Sequence, residues 1–252
     1  RGLRGFENGE TCENCPQDCG ACPGSGAVVD VRTPIWASFL NGDANDIIGS
    51  VNLAENGTVN ATTDHKGVAD RASSTGTSGS NNFSISDAAS SNFFDLQPPV
   101  SFSFWARRVG NFPVKTTRLL SKYYSSTNDR AYSIQIANSD ADTTRIYVEV
   151  SDDGLSGPAP GAPASDWVLN QWYHIGVTIG ATGSIRIYRD GSLIHGPAAG
   201  EATFHNSGPV FKLFVGVGDT TDPNVDMDDV AVWNVELTAD EIAILAGLGT
   251  DF

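Results

Sequence analysis

Residues 170–194 read NQWYHIGVTIGATGSIRIYRDGSLI. WYHIGVTI and SIRIY are β-type runs, dense in branched and aromatic side chains and separated by a glycine-bounded break. The RDG at 189–191 then turns the chain back, because Asp190 and Gly191 can both take the positive φ of a tight two-residue hairpin turn. The same pattern spreads outward. PVSFSFWARR (99–108) places Val100, Phe102 and Phe104 on one face with serines opposite, then reaches Trp105, Arg107 and Arg108. RAYSIQIA, TRIYVEV, FKLFVGVG and MDDVAVWN are further strand-like runs, and Gly, Pro, Asn or Asp punctuates nearly every gap. Residues 73–82 and 152–166 read as loops. One helix is expected near the C-terminus. Thr238 and Glu241 have capping-box spacing, Leu237 and Ile242 can form a hydrophobic staple, and Gly247 is placed to end it. Its short apolar stripe requires packing on the sheet edge.

The 252 residues suit one large β domain, with 40% hydrophobic and 18% charged residues. Thirty acidic against 15 basic residues give a net charge of −15, which repels phosphate backbones and anionic lipid. Nucleic acid is therefore excluded as a partner, and no apolar run is long enough for membrane insertion by a helix. The chain opens on Arg1 rather than Met, as either removal of an export signal or excision of a fragment would leave it. Richness in Gly, Ser and Thr with few lysines fits a secreted protein on an extracellular surface.

VSFSFWARR, RLLSK, the 170–194 stretch, FVGVG and MDDVAVWNVELTADEIAIL follow one another in an order and spacing that resemble the laminin-G-like and concanavalin-A-like jelly-roll family. The resemblance runs from about residue 36 to the C-terminus and is most specific over 171–191 and 227–245. It implies an all-β fold: a two-sheet antiparallel jelly-roll sandwich with a short C-terminal helix. A cysteine-rich N-terminal arm, residues 1–26, precedes this 27–252 domain. The fold hosts lectins, adhesion modules, structural subunits and glycanases, so family shape leaves function open.

Glycanase chemistry needs paired carboxylates on one strand face. No E-x-D-x-x-E-type run is present, and Glu149 and Asp152 of YVEVSDD fall on opposite faces of a regular strand, so no enzyme is expected. His174 reads as a strand histidine on the outer face of a core hairpin, and Trp105, Trp172 and Trp233 as inter-sheet packing. Trp36 and Trp167, near loops, are the candidate sugar-stacking aromatics. Calcium is the candidate ion, since NGDANDIIG (41–49) and DPNVDMDD (222–229) mix carboxylates and amides; Asp43, Asn45, Asp226 and Asp228 are the expected ligands. Asn56, Asn60 and Asn82 begin N-x-S/T sequons in loop-like sequence, as many as composition alone would give.

All four cysteines fall in CENCPQDCGAC: Cys12, Cys15, Cys19 and Cys22. Structural zinc usually spaces its two cysteine pairs more widely, and no cytosolic α/β pattern supports an iron–sulfur reading. In an exported chain two disulfides are expected, with three connectivities open. Loops this short give roughly 2 to 3 kcal/mol per bridge, acting locally. A stiff arm on one sandwich suggests a subunit of an extracellular assembly or fibre, whose AVVDVRTPIW (27–36) either adds a strand to a copy of itself or pairs within its own domain. The alternative is a lectin or adhesin for extracellular glycans.

Overall fold

The alternation in PVSFSFWARR is the seed of the structure, a computed structural model describing residues 31–76, 81–110, 116–124, 127–138, 144–163, 167–205, 208, 210–215 and 224–248. The chain divides into two compact units, Arg1–Val31 and Arg32–Phe252. The four cysteines, and residues 27–30 of the expected docking segment, lie outside the described residues.

The first sheet holds β1 (Trp36–Ser38), β3 (Asn60–Thr62), β4 (Ala72–Ser74), β6 (Val100–Arg108), β11 (Trp172–Ile179), β12 (Ser184–Arg189), β13 (Ser192–Ala199) and β15 (Val225–Trp233). Its order is β13-β12-β11-β6-β15-β4-β3, with β1 also paired to β15. The second holds β2 (Ala54–Asn56), β5 (Asn82–Ile85), β7 (Thr116–Tyr124), β8 (Asp129–Asn138), β9 (Thr144–Val150), β10 (Gly161–Pro163) and β14 (Phe211–Val215), in the order β10-β9-β8-β7-β14-β5-β2. Among the described residues these strands pair antiparallel. Between the sheets lies one core. Val100, Phe102 and Phe104 meet Ile175, Val177 and Ile179 on one side and Ile134, Ile136, Ile146 and Val148 on the other. The β12–β13 turn has φ of 50° at Asp190 and 76° at Gly191, as its sequence requires.

Because Phe102 and Phe104 face inward, Trp105 must face outward, and the expectation of inter-sheet packing for it fails. Trp105 stacks on His65, Trp172 lies beneath Arg107, and the buried Trp233 donates from Nε1 to Arg32 O at 2.6 Å. A bulge in β15 resets the parity of that strand. Its register to β6 shifts between Asp228 and Ala231, and Asp229 has φ of 45°. One extra residue lets Val225 and Met227 before it, and Val230 and Val232 after it, all reach the core.

Two helices are described. α1 (Asp87–Ser90) is a single turn capped by Ser86, whose Oγ accepts from Ala89 N at 3.2 Å. α2 (Ala239–Leu248) forms the expected capping box: Glu241 N donates to Thr238 Oγ1 at 3.2 Å, and Thr238 N to Glu241 Oε2 at 2.7 Å. The helix runs through Gly247 to Leu248 rather than ending at that glycine. It also covers the outer face of the first sheet, not its edge. A Cβ on Gly176 of β11 would meet Ile242 Cγ2 at 2.8 Å, so the missing side chain is what admits the helix.

Residues 32–38 are spent within their own domain. β1 pairs with Val230–Val232, Ile35 N donates to Val232 O at 2.8 Å, and Arg32 binds Glu241. Among the described residues of the 27–36 segment, the in-domain pairing is the one observed.

Candidate functional site

The outer face of the second sheet carries an organised polar array. β8 sends Tyr132, Ile134 and Ile136 inward, which turns Ser133 and Gln135 to the opposite face, where both are buried beneath their neighbours; β9 likewise turns the half-buried Tyr147 and Glu149 to that face between Ile146, Val148 and Val150. Register places Gln135 opposite Tyr147 and Arg118, and Tyr123 opposite Arg130. Tyr147 OH donates to Gln135 Oε1 at 3.0 Å, Gln135 Nε2 donates to Glu149 Oε2 at 3.0 Å, and Tyr123 OH donates to Glu149 Oε1 at 3.0 Å. The guanidinium carbons of Arg118 and Arg130 lie 4.3 and 5.4 Å from the Tyr123 ring centroid. Burial, and then the negative charge of Glu149, push the Tyr123 hydroxyl up to about 12 against the opposing arginines. At neutral pH it is therefore a fixed donor.

Such a face offers donors, acceptors and half-buried aromatic surface together. Glycoside hydrolysis by paired carboxyls would need a second acid, and among the described residues joined in this array Glu149 is the one carboxylate. Nearby, Tyr124, Asp129 and Lys212 border a small cleft of about 180 Å³. A larger depression of about 620 Å³ is lined by residues such as Ser50, Asn52, Ser84 and Ser90, and among the described residues of its wall none has an aromatic or charged side chain to stack on or orient a ligand.

The outer face of the first sheet is built differently. β4 pairs with β15 at Asp226 and Met227, and β1 pairs with it at Val230–Val232. The bulged Asp228–Asp229 pair lies between these partners. There a cleft of about 310 Å³ forms among Asp64, His65, Lys66, Arg71 and the two aspartates. His65 Nδ1 lies 2.7 Å from Asp228 Oδ2, and its ring stacks on Trp105 with centroids 4.2 Å apart. Behind them His174 is buried on the outer face, as expected. Its Nε2 lies 2.8 Å from Ser103 Oγ, a partner that β6–β11 register supplies. Burial, and then the charge of His65, lower the His174 pKa to about 3, so the ring stays neutral.

The four expected calcium ligands are not brought together. Asp43 is occupied by its own loop, accepting from Asn45 N at 3.2 Å and Asn45 Nδ2 at 2.8 Å. Asp226 is neutralised by Arg107, whose Nε and Nη2 donate at 3.0 and 2.6 Å. Asp228 instead joins His65 and Asp229, with candidate donor atoms within 4.8 Å of one another. One imidazole and two carboxylates do not fit calcium, which takes six to eight oxygens. Trp36 and Trp167 are also corrected as sugar-stacking residues. Trp36 is fully buried against Phe94 and Phe211, and Trp167 is 3% exposed beside Tyr173, so neither ring face is open to a ligand. Asn56 and Asn60 are exposed on edge strands β2 and β3, and Asn82 is half-buried on β5, so all three sequons begin on strands rather than in loops.

The array on the second sheet was missed in sequence. Its signal was the alternation of Ser133, Gln135, Tyr147 and Glu149 with core residues. Nothing local marks Arg118, Tyr123 and Arg130 as their neighbours.

The chain matches the family profile described as the concanavalin A-like lectin/glucanases superfamily over residues 77–243. No curated protein matches it in sequence. Among solved structures it is similar to domain 4 of an extracellular GH43 arabinanase from Geobacillus stearothermophilus, solved with arabinotriose. That likeness has a TM-score of 0.59 and 17% identity, over 86% of this chain and 100% of that one. It is also similar to botulinum neurotoxin type C, which depends upon interaction with two ganglioside molecules to enter cells (TM-score 0.60, 17% identity, 86% of this chain, 51% of that one). A third is a Trypanosoma rangeli sialidase in complex with a difluorinated sugar acid (TM-score 0.58, 17% identity, 86% of this chain, 33% of that one). This chain thus spans about half of the toxin chain and a third of the sialidase. At such identities the likeness is one of fold. With the profile covering well over half of its length and two antiparallel sheets enclosing its core, the chain belongs to the concanavalin A-like lectin/glucanases superfamily.

Proposed function

We propose that this is a non-catalytic extracellular glycan-binding module whose binding surface is the outer face of the second sheet. The observation that carries the reading is the hydrogen-bonded series Tyr147–Gln135–Glu149–Tyr123 flanked by Arg118 and Arg130. A carboxylate held by two donors retains acceptor capacity for sugar hydroxyls, while its neighbours restrict its rotation before any ligand arrives. The arabinotriose and ganglioside interactions of the structural neighbours support the same class of ligand. Exposed Asn56 and Asn60 are the sequons we assign to glycosylation in a host that performs it. A fibre subunit assembling with copies of itself is the alternative role. It would act through residues 1–30, because residues 32–38 are engaged in their own domain.

A glycan array probed with the full chain tests the assignment. Wild type is expected to retain a defined oligosaccharide class. Glu149→Ala should lose about tenfold or more in affinity, the value of a hydrogen bond to a charged group. Arg71→Ala, on the other sheet's cleft, should bind as wild type. No retained glycan, or equal binding by Glu149→Ala, would refute the proposal.

A further inference from the structure

Lys122 has an unusual position for a lysine. In the register of the second sheet it lies opposite Tyr132 of β8 and Phe211 of β14, and both of those side chains are in the core. The lysine therefore points inward, and its side chain is 0% exposed. The segment from α1 to Asp95 folds over it. Tyr132 OH donates to Phe94 O at 2.9 Å, and the Phe94 ring stacks on Phe211 with centroids 3.8 Å apart. Inside this aromatic surround Lys122 Nζ meets two carboxylates: Asp87 Oδ1 at 2.9 Å and Asp95 Oδ1, which it also contacts as a hydrogen-bond donor. The Asp87 and Asp95 side chains are 16% and 20% exposed.

We propose that Lys122 and Asp95 condense into an intramolecular isopeptide bond, with Asp87 as the catalytic carboxylate. A buried ion pair of this kind is easily converted to its neutral form, because a low-dielectric surround disfavours both charges. Burial does lower the Lys122 pKa, against the opposing pull of Asp87 and the more distant Asp129. The ammonium proton passes to the Asp95 carboxylate, giving a free amine beside a carboxylic acid. Nζ then attacks Asp95 Cγ, and the Nζ–Cγ bond forms as the carbonyl π pair moves onto oxygen. Asp87 takes a proton from Nζ and delivers it to the departing hydroxyl. The Cγ–O bond breaks, the carbonyl re-forms, and one water leaves. No oxidant or cofactor is consumed. Amide formation is slow between separate molecules, but groups held in contact have effective molarities of order 10⁵ M or more.

The product would close residues 95–122 into a covalent loop that contains β6, which lies between β11 and β15 in the first sheet, and would fasten the segment before β6 to β7 of the second sheet. An extracellular module would gain a clamp between its two sheets. This assignment is independent of glycan binding.

Intact-mass spectrometry of the purified full chain, with its cysteines reduced, tests it directly. Wild type should be one water lighter than its sequence. A tryptic digest should contain peptide 119–130, uncut at Lys122, joined to peptide 72–107. Asp87→Asn should have its full sequence mass and release 119–122 and 123–130 as separate peptides. A wild-type chain of full mass, or free 119–122 as its main product, overturns the bond even if the variant fails to fold. Wild-type crosslinking that persists unchanged in Asp87→Asn overturns the role of Asp87.

Discussion

Glu241→Gln probes how the start of the domain is tied to its C-terminal helix. Glu241 accepts from Thr238 N at 2.7 Å and Thr238 Oγ1 at 3.0 Å, and from Arg32 Nε and Nη2 at 2.7 and 2.6 Å. The Arg32 bond, followed by the contacts from Thr238, holds its carboxyl at about 2 rather than 4.5, against the cost of burial. A carboxylate depressed in the native state contributes stability above its unfolded pKa and loses it as pH falls through the native one. At about 1.36 kcal/mol per unit, the depression sets a ceiling near 3 kcal/mol. Arg32 is 44% exposed, however, and solvent screening reduces the expected contribution to about 1–2 kcal/mol. For a domain of this size that corresponds to a Tm lower by about 2–8 °C near neutral pH. Scanning calorimetry of both proteins should show this gap at neutral pH and its closure as pH falls from 4.5 to about 2. No gap at neutral pH, or one that persists undiminished in acid, would refute the reasoning.

Arg107→Met should cost about 3–5 kcal/mol in urea unfolding, because it leaves the 2%-exposed Asp226 carboxylate without its counter-charge. Adding Asp226→Leu to the same chain should recover most of that loss; no recovery would show that packing of the arginine stem dominates. His174 is held near a pKa of 3 while an unfolded imidazole takes up its proton near 6.5, so wild-type stability should decline as pH drops below 6.5. His174→Gln should flatten part of that decline, and an unchanged slope would count against a neutral buried ring. Gly191→Val should destabilise by about 1–3 kcal/mol in thermal melts, combining a positive-φ turn with a Cβ placed 3.0 Å from Ala243 Cα. A neutral result would mean that the helix can shift to accommodate it.

Local pattern revealed the strands because core and solvent alternate along them. Val100, Phe102 and Phe104 are an example, as are the Asp190–Gly191 turn and the Thr238–Glu241 capping box. The same alternation puts Trp105 outside, whereas its residue type alone suggests inter-sheet packing. Trp36 and Trp167 failed for a related reason. Closeness to a loop in sequence says little about which way an indole points once two sheets close. The sites needed information that one strand does not contain. Asp228 finds His65 across the gap between β1 and β4, and His174 finds Ser103 through β6–β11 register. The bulge at Asp229, which turns a run of acids into one cleft wall, depends on pairing with β6. Nothing in RLLSK marks Lys122 as buried, because the bulge that includes Leu119 determines which way it points.

The proposed glycan site is the outer face of the second sheet. Backbone and side-chain NMR shifts of the full chain, titrated with an oligosaccharide retained on the array, test it most directly. Perturbations centred on Arg118, Tyr123, Arg130, Gln135, Tyr147 and Glu149 are predicted. Shifts confined to the His65–Asp228 cleft, or to the serine-lined depression, would contradict it.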